Sequence, residues 1–163
     1  GSKQLFDIAK TMKAKGYIGR SGGANGADQC LEDGYYVGTL ENCEIYLPWN
    51  GFNDKYSEHG CYIDTSKSLR VSKAKRIASE IHPAWGKCSR GAKSLHTRNV
   101  YQIMGKNLNS FSEFVVCYAE PSGNNGRVKG GTATAVNIAL QNNVPVYNLY
   151  FENDYDNLME RIK

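Results

Sequence analysis

A chain of 163 residues, 40% of them apolar, is long enough for one domain with a buried core and too short for two comfortable ones. Its formal charge of +4 comes from 20 basic residues scattered among 16 acidic ones, which excludes the continuous basic stripe of a duplex-binding protein; nucleic acid is not expected as a partner, and a small anionic ligand would suffice. The 5 cysteines are odd in number and never spaced Cys-x-x-Cys, which argues against a disulfide framework or zinc knuckle, and no apolar run approaches the ~20 residues of a membrane helix, so a reducing, cytoplasmic setting without membrane contact is expected.

Gly1-Ser2 reads as the remnant of a cleaved tag. Residues 3–15 carry Leu5, Ile8, Ala9 and Met12 at helical spacing and stop at Gly16. An apolar strand, Tyr17 to Arg20, then enters the turn Ser21-Gly22-Gly23-Ala24-Asn25-Gly26. The helix that follows, with Ala27, Cys30, Leu31 and Gly34 on one face, aims its positive end into that turn. Backbone N–H groups of Ser21, Gly22, Gly23 and Gly26 suit a phosphate, with Asn25 beside them; the plainer reading is a tight turn that binds nothing. Arg20 either closes on the same anion or pairs with Asp28 or another carboxylate. Asp28 either accepts a ribose hydroxyl or simply complements the helix dipole.

Cys43 to Leu47 reads as a short strand closed by Pro48, and Trp49 and Phe52 in the next turn as a local mini-core rather than a lid. Residues 54–71 are polar and without period, an expected insertion or lid. Ser72 is expected to cap a helix carrying Ala74, Ile77, Ala78 and Ile81, stopped by Pro83. Ser89 to Met104 is a longer helix with Ala92, Leu95, Val100 and Ile103 inward and Arg98-Asn99 side by side, suited to planar or anionic groups. Phe114 to Ala119 is nearly continuous apolar sequence, expected as a central strand. A second glycine loop, Ser122 to Gly131, leads through Thr132 into a helix ending at Asn142; Val144 to Leu149 is a last strand, and Asp154 to Lys163 a closing helix. Strands alternating with helices imply an α/β, Rossmann-like three-layer fold, a mostly parallel sheet flanked by helices. Ligands in such sheets sit at the carboxyl ends of strands, which is expected to bring both glycine loops over one pocket.

Neither glycine loop fits the Gly-x-Gly-x-x-Gly fingerprint or a P-loop, so no cofactor is implied. His59, His82 and His96 with Cys61 or Cys88 show no spacing for four-fold metal coordination, and no metal is expected. Trp85, like Trp49 and Phe52, reads as packing.

The run Arg20-Ser21-Gly22-Gly23-Ala24-Asn25-Gly26-Ala27-Asp28 with Gly130-Gly131-Thr132 resembles the signature of the SLOG superfamily, Rossmann-like nucleotide-binding domains that include the DprA recombination mediators and the LOG phosphoribohydrolases. With Ile45-Tyr46-Leu47-Pro48-Trp49, His82-Pro83-Ala84-Trp85, Arg98-Asn99-Val100-Tyr101-Gln102 and Pro145-Val146-Tyr147-Asn148-Leu149, the chain is similar to small phage DprA-like proteins from about Gly16 to Leu149. The resemblance implies a single nucleotide-binding domain with Arg98 and Asn99 as ligand contacts. LOG enzymes carry Pro-Gly-Gly-x-Gly-Thr-x-x-Glu; the run from Lys129 to Asn137 puts an amide where that acid stands. Asn137 can hydrogen-bond a ribose hydroxyl but cannot serve as a general base. The expectation is therefore binding without turnover: a phage anti-defence protein, in the host cytoplasm, that sequesters an ADP-ribose-type or cyclic nucleotide signal. One alternative is N-glycosidic hydrolysis by a displaced acid, Asp28, Glu120 or an acid of residues 54–64; another is single-stranded DNA binding. A homodimer or higher homo-oligomer is expected from the apolar faces of the 72–81 and 89–104 helices.

Overall fold

The computed structural model describes all of residues 1–163. The fold is Rossmann-like α/β: helices are interspersed with strands, and every strand pair is parallel. The chain divides into two compact units, residues 1–68 with Ile162, and residues 69–161 with Lys163.

In the first unit, α1 (Ser2–Ala14) buries Ile8, Ala9 and Met12, the stripe expected from periodicity. It packs on α2 (Ala27–Tyr35) through Gly34, where Ala9 leaves no room for a side chain. The strands β1 (Gly19–Ser21), β2 (Cys43–Leu47) and β3 (Tyr62–Asp64) form a parallel sheet in that order, Gly19 opposite Cys43 and Ile45 opposite Tyr62. β2 is its middle strand, with Ile45, Tyr46 and Leu47 all fully buried.

One expectation changes here. β1 starts at Gly19 rather than Tyr17, because the Tyr17 N–H closes the end of α1 on the Met12 carbonyl (3.0 Å) and Ile18 faces solvent. Residues 54–71, without period in the sequence, nevertheless supply β3 and the buried Lys55. Their polar composition hides this, since β3 is a half-buried outer strand with no apolar run to betray it.

The second unit contains α3 (Val71–Ile81), α4 (Arg90–Met104), α5 (Ala133–Gln141) and α6 (Glu152–Arg161), with β4 (Val115–Cys117) paired to β5 (Val146–Asn148). Ser72 lies inside α3, whose N-cap is Arg70, without a side-chain cap. Ser89, by contrast, caps α4, its Oγ accepting from the Ala92 N–H at 3.1 Å. The apolar run at 114–119 yields only a three-residue strand in a two-stranded sheet, so β4 is not the central strand expected. α3 and α4 pack on each other, and α4 on α5. Of their apolar stripes, Ala74, Ala78, Val100 and Ile103 are buried, while Ile77, Ile81, Ala92 and Leu95 are half-buried.

Candidate functional site

The first glycine loop leaves β1 with Ser21, Gly22 and Gly23 all buried and reaches α2 through exposed Asn25 and Gly26. Much of its polar capacity is spent internally. The Gly23 N–H donates to Ser21 Oγ (3.4 Å), and the Ala24 N–H to Asp28 Oδ2 (3.1 Å). Asn53 reaches across from the next turn and donates to the Gly23 carbonyl (3.2 Å) and to Asn25 Oδ1 (3.1 Å). Asp28 thus holds the loop and already answers the positive end of α2.

Arg20 takes the carboxylate reading, with Glu44 rather than Asp28 as the partner: its Nε donates to Glu44 Oε1 at 3.1 Å, and Tyr46 donates to the same oxygen. Gly23 has φ +71°, and a Cβ there would sit 2.8 Å from Leu47 Cδ2. Its side-chain direction points into the sheet, not toward a ligand. Behind the loop, Lys55 pairs with Glu32 at 2.7 Å, both nearly fully buried, while Gln29 and Tyr62 complete the network. Burial, and then the Glu32 carboxylate that accepts its proton, hold the Tyr62 hydroxyl well above the ordinary phenol value.

The second loop is built differently. Its outer limb folds back on itself: Pro121 bridges Val128, the Lys129 N–H donates to the Glu120 carbonyl (2.9 Å), and the Ser122 N–H to the Arg127 carbonyl (2.9 Å). Its inner end, Gly130-Gly131-Thr132, opens α5. Thr132 makes no side-chain cap, and the first turn of α5 carries no acid. The peptide dipoles of nine residues therefore end at this turn uncompensated, unlike those of α2. Gly131 has open space around its Cβ direction.

α4 supports this turn. Asn99 Nδ2 donates to the Gly131 carbonyl (2.9 Å), and Arg98 Nε donates to Asn99 Oδ1 (3.0 Å). Arg98 and Asn99 are each 6% exposed, so neither belongs to a solvated helix face. Further along α5, Asn137 Oδ1 is buried with no hydrogen-bond partner. It lies three residues beyond Thr134, on the same helical face, and Thr134 Oγ1 contacts His96 Nδ1 of α4 at 2.9 Å. Burial, then His82 and Arg98, lower the His96 pKa below the ordinary imidazole value.

Residues not anticipated from sequence finish the carboxyl end of this sheet. Asn148 clamps both strands: its Nδ2 donates to the Ala119 carbonyl (2.8 Å), and its Oδ1 accepts from the N–H groups of Ala119 and Tyr150 (both 3.1 Å). Tyr118 and Tyr150, the neighbours of these clamped groups, stand about half exposed with ring centroids 6.2 Å apart. A concavity of about 680 Å³ lies near the outer limb, lined by Pro121, Arg127, Leu140, Val146 and Phe151 among others, and takes in none of the predicted residues.

The predicted residues thus fall into two groups. Arg20, Ser21, Gly22, Gly23, Asn25, Gly26 and Asp28 belong to the first unit; Arg98, Asn99, Gly130, Gly131, Thr132 and Asn137 to the second. Trp49, 40% exposed, meets Phe52 edge to face at 5.3 Å, and Lys93 lies over Trp85 at 5.7 Å. In comparisons with known proteins, the chain significantly matches no family model, no curated protein and no solved structure.

Proposed function

We propose that the chain binds a nucleotide-derived small molecule of the ADP-ribose or cyclic nucleotide type without turning it over, centred on the start of α5. The observation that carries this reading is Asn137 Oδ1, a buried acceptor with no partner in the protein. Such an atom costs about 1–3 kcal/mol, so it is best explained by a donor from outside the chain, such as a ribose hydroxyl or an exocyclic amine. The uncapped turn Gly130-Gly131-Thr132 suits a phosphate, and exposed Tyr118 and Tyr150 at the carboxyl ends of β4 and β5 suit a base.

Loss of turnover follows from the chemistry of the amide. An asparagine neither takes a proton nor stabilises an oxocarbenium ion by charge. The displaced acids are poorly placed to substitute: Asp28 is engaged by the Ala24 N–H, and Glu120 pairs with Lys129 on the exposed surface. Membership of the SLOG superfamily, a phage origin and an anti-defence role that sequesters a bacterial signal are proposed from the resemblance of the motifs. Homodimerisation belongs to the same proposal, and a monomer by light scattering at micromolar concentration removes it.

The test is to incubate the protein with a panel of ADP-ribose derivatives, cyclic nucleotides and nucleoside monophosphates, follow thermal stability, then denature the complex and identify what is released. One compound is expected to raise the unfolding temperature, to be recovered intact, and to lose at least tenfold in affinity with Asn137→Ala. Free base in the released material makes the hydrolase the correct reading instead. A salt-dependent shift with single-stranded DNA and none with nucleotides makes the DNA-binding reading correct.

A further inference from the structure

Where the chain turns from α3 into α4, three side chains distant from any metal-binding spacing come together. His82 follows the last residue of α3, Cys88 immediately precedes the Ser89 cap, and His96 lies in the second turn of α4. Their potential ligand atoms all lie within 4.8 Å of one another. The two imidazoles are 4.4 Å apart between centroids, and Cys88 Sγ is 3.9 Å from His82 Nδ1 and 3.8 Å from Nε2. All three are half-buried.

We propose that His82, Cys88 and His96 form a binding site for a borderline-soft divalent cation of the Zn²⁺ class. Two thermodynamically ordinary alternatives fit the geometry less well. A thiol–imidazole nucleophile pair needs one directed hydrogen bond, yet the sulfur is equidistant from both nitrogens of His82 and donates weakly to the Ala84 carbonyl at 3.5 Å. Simple packing accounts for neither the second imidazole nor its orientation.

That orientation is the independent observation. His96 Nδ1 is held by Thr134 Oγ1 at 2.9 Å, and in the tautomer where Nδ1–H donates to that hydroxyl, Nε2 presents a lone pair. Fixing one imidazole nitrogen by an outer hydrogen bond so that the other can ligate is how metal-binding histidines are positioned. His82 Nδ1 currently accepts from the Ala84 N–H at 3.0 Å. Ligation through either nitrogen of that ring gives up this bond, and exposed Ala84 recovers it from water.

Tetrahedral Zn²⁺, with bonds of about 2.3 Å to sulfur and about 2.0–2.1 Å to nitrogen, holds neighbouring ligand atoms roughly 3.3–3.6 Å apart. Closing the cluster therefore asks for side-chain rotations on the order of 1 Å. On binding, Cys88 loses its thiol proton to solvent and the thiolate neutralises one charge of the ion. Three protein ligands leave a fourth position for water or an oxygen of another molecule.

The experiment is a titration of the full chain, chelator-stripped and kept reduced, with Co²⁺ followed by Zn²⁺. A thiolate-to-Co²⁺ charge-transfer band is expected, saturating at one ion per chain and bleached by Zn²⁺. Cys88→Ser and His96→Ala should abolish the band or weaken binding at least tenfold, His82→Gln should weaken it, and Cys61→Ser should leave it intact, each variant checked for its fold by circular dichroism. Absence of the band in the parent protein at saturating Co²⁺ overturns the proposal whatever the variants do. So does a band that survives in folded Cys88→Ser. Nucleotide affinity is not read in this experiment, so its outcome is separate from that of the ligand test.

Discussion

Gly23 and Gly131 sit in similar sequence settings and have opposite physical duties. At Gly23 the torsion φ +71° and the approach of Leu47 and Ile45 both forbid a side chain. Gly23→Val should therefore lose about 1–3 kcal/mol through backbone strain and a comparable amount through overpacking, with or without ligand present. Gly131 has neither constraint: its backbone is ordinary and nothing lies within 4 Å of a Cβ built there. Gly131→Val should leave urea stability within about 0.5 kcal/mol of the parent and, on the proposed binding mode, should lower nucleotide affinity at least tenfold, because the branched side chain occupies the approach to the α5 turn. Equal nucleotide affinity in Gly131→Val would move the site away from that turn. The identity of these glycines was legible in the sequence, but their duties were not, since a run of glycines does not say which of them faces the core.

At the level of elements, local pattern carried far. Ile8, Ala9 and Met12 marked α1, Pro48 closed β2 at Leu47, and Ser89 announced α4. What local pattern missed depends on partners distant in sequence. β3 is only three residues long and half-buried on the outside of its sheet, too short to show a pattern; Lys55 reads as a surface lysine until Glu32, 23 residues earlier, is brought against it. Asn53 looks like a turn residue and Asn148 like a strand residue, and both act as clamps. His82, Cys88 and His96 are drawn together by a turn between two helices, a convergence that no spacing rule encodes. The caps give a direct comparison. Ser89→Ala should cost about 1 kcal/mol in urea unfolding, because the Ala92 N–H loses its acceptor. Ser72→Ala, at an exposed position inside α3, should change stability by less than about 0.5 kcal/mol. Equal losses at the two serines would show that the N-terminus of α3 lies where the sequence alone had put it.

For the molecule as a whole, the ionisable groups most perturbed by folding are thiols and phenols. Burial, and secondarily Asp154, pushes the Cys117 thiol from 9.0 up to about 12; burial, and secondarily Cys43, pushes the Tyr35 hydroxyl from 10.0 up to about 12. Cys43 and Tyr62 move in the same direction, again chiefly through burial. All are neutral acids whose folded pKa lies above the unfolded value. Their contribution to stability is therefore complete below pH 9, where both states are protonated, and is lost as pH rises toward about 12 and the unfolded chain alone releases protons. Each such group adds at most about 1.4 kcal/mol of lost stability per pH unit inside that window. Urea midpoints measured under reductant should accordingly be flat up to pH 9 and fall steadily above it. Cys117→Val, close in volume and without a titratable proton, should flatten the first part of that decline by up to one proton. Tyr35→Phe should act later, above pH 10, and should also lower stability at neutral pH, because the hydroxyl's hydrogen bond to the Tyr17 carbonyl is removed. Midpoints that hold constant to pH 11 in the parent protein would mean that these groups titrate in the folded chain as they do in the unfolded one.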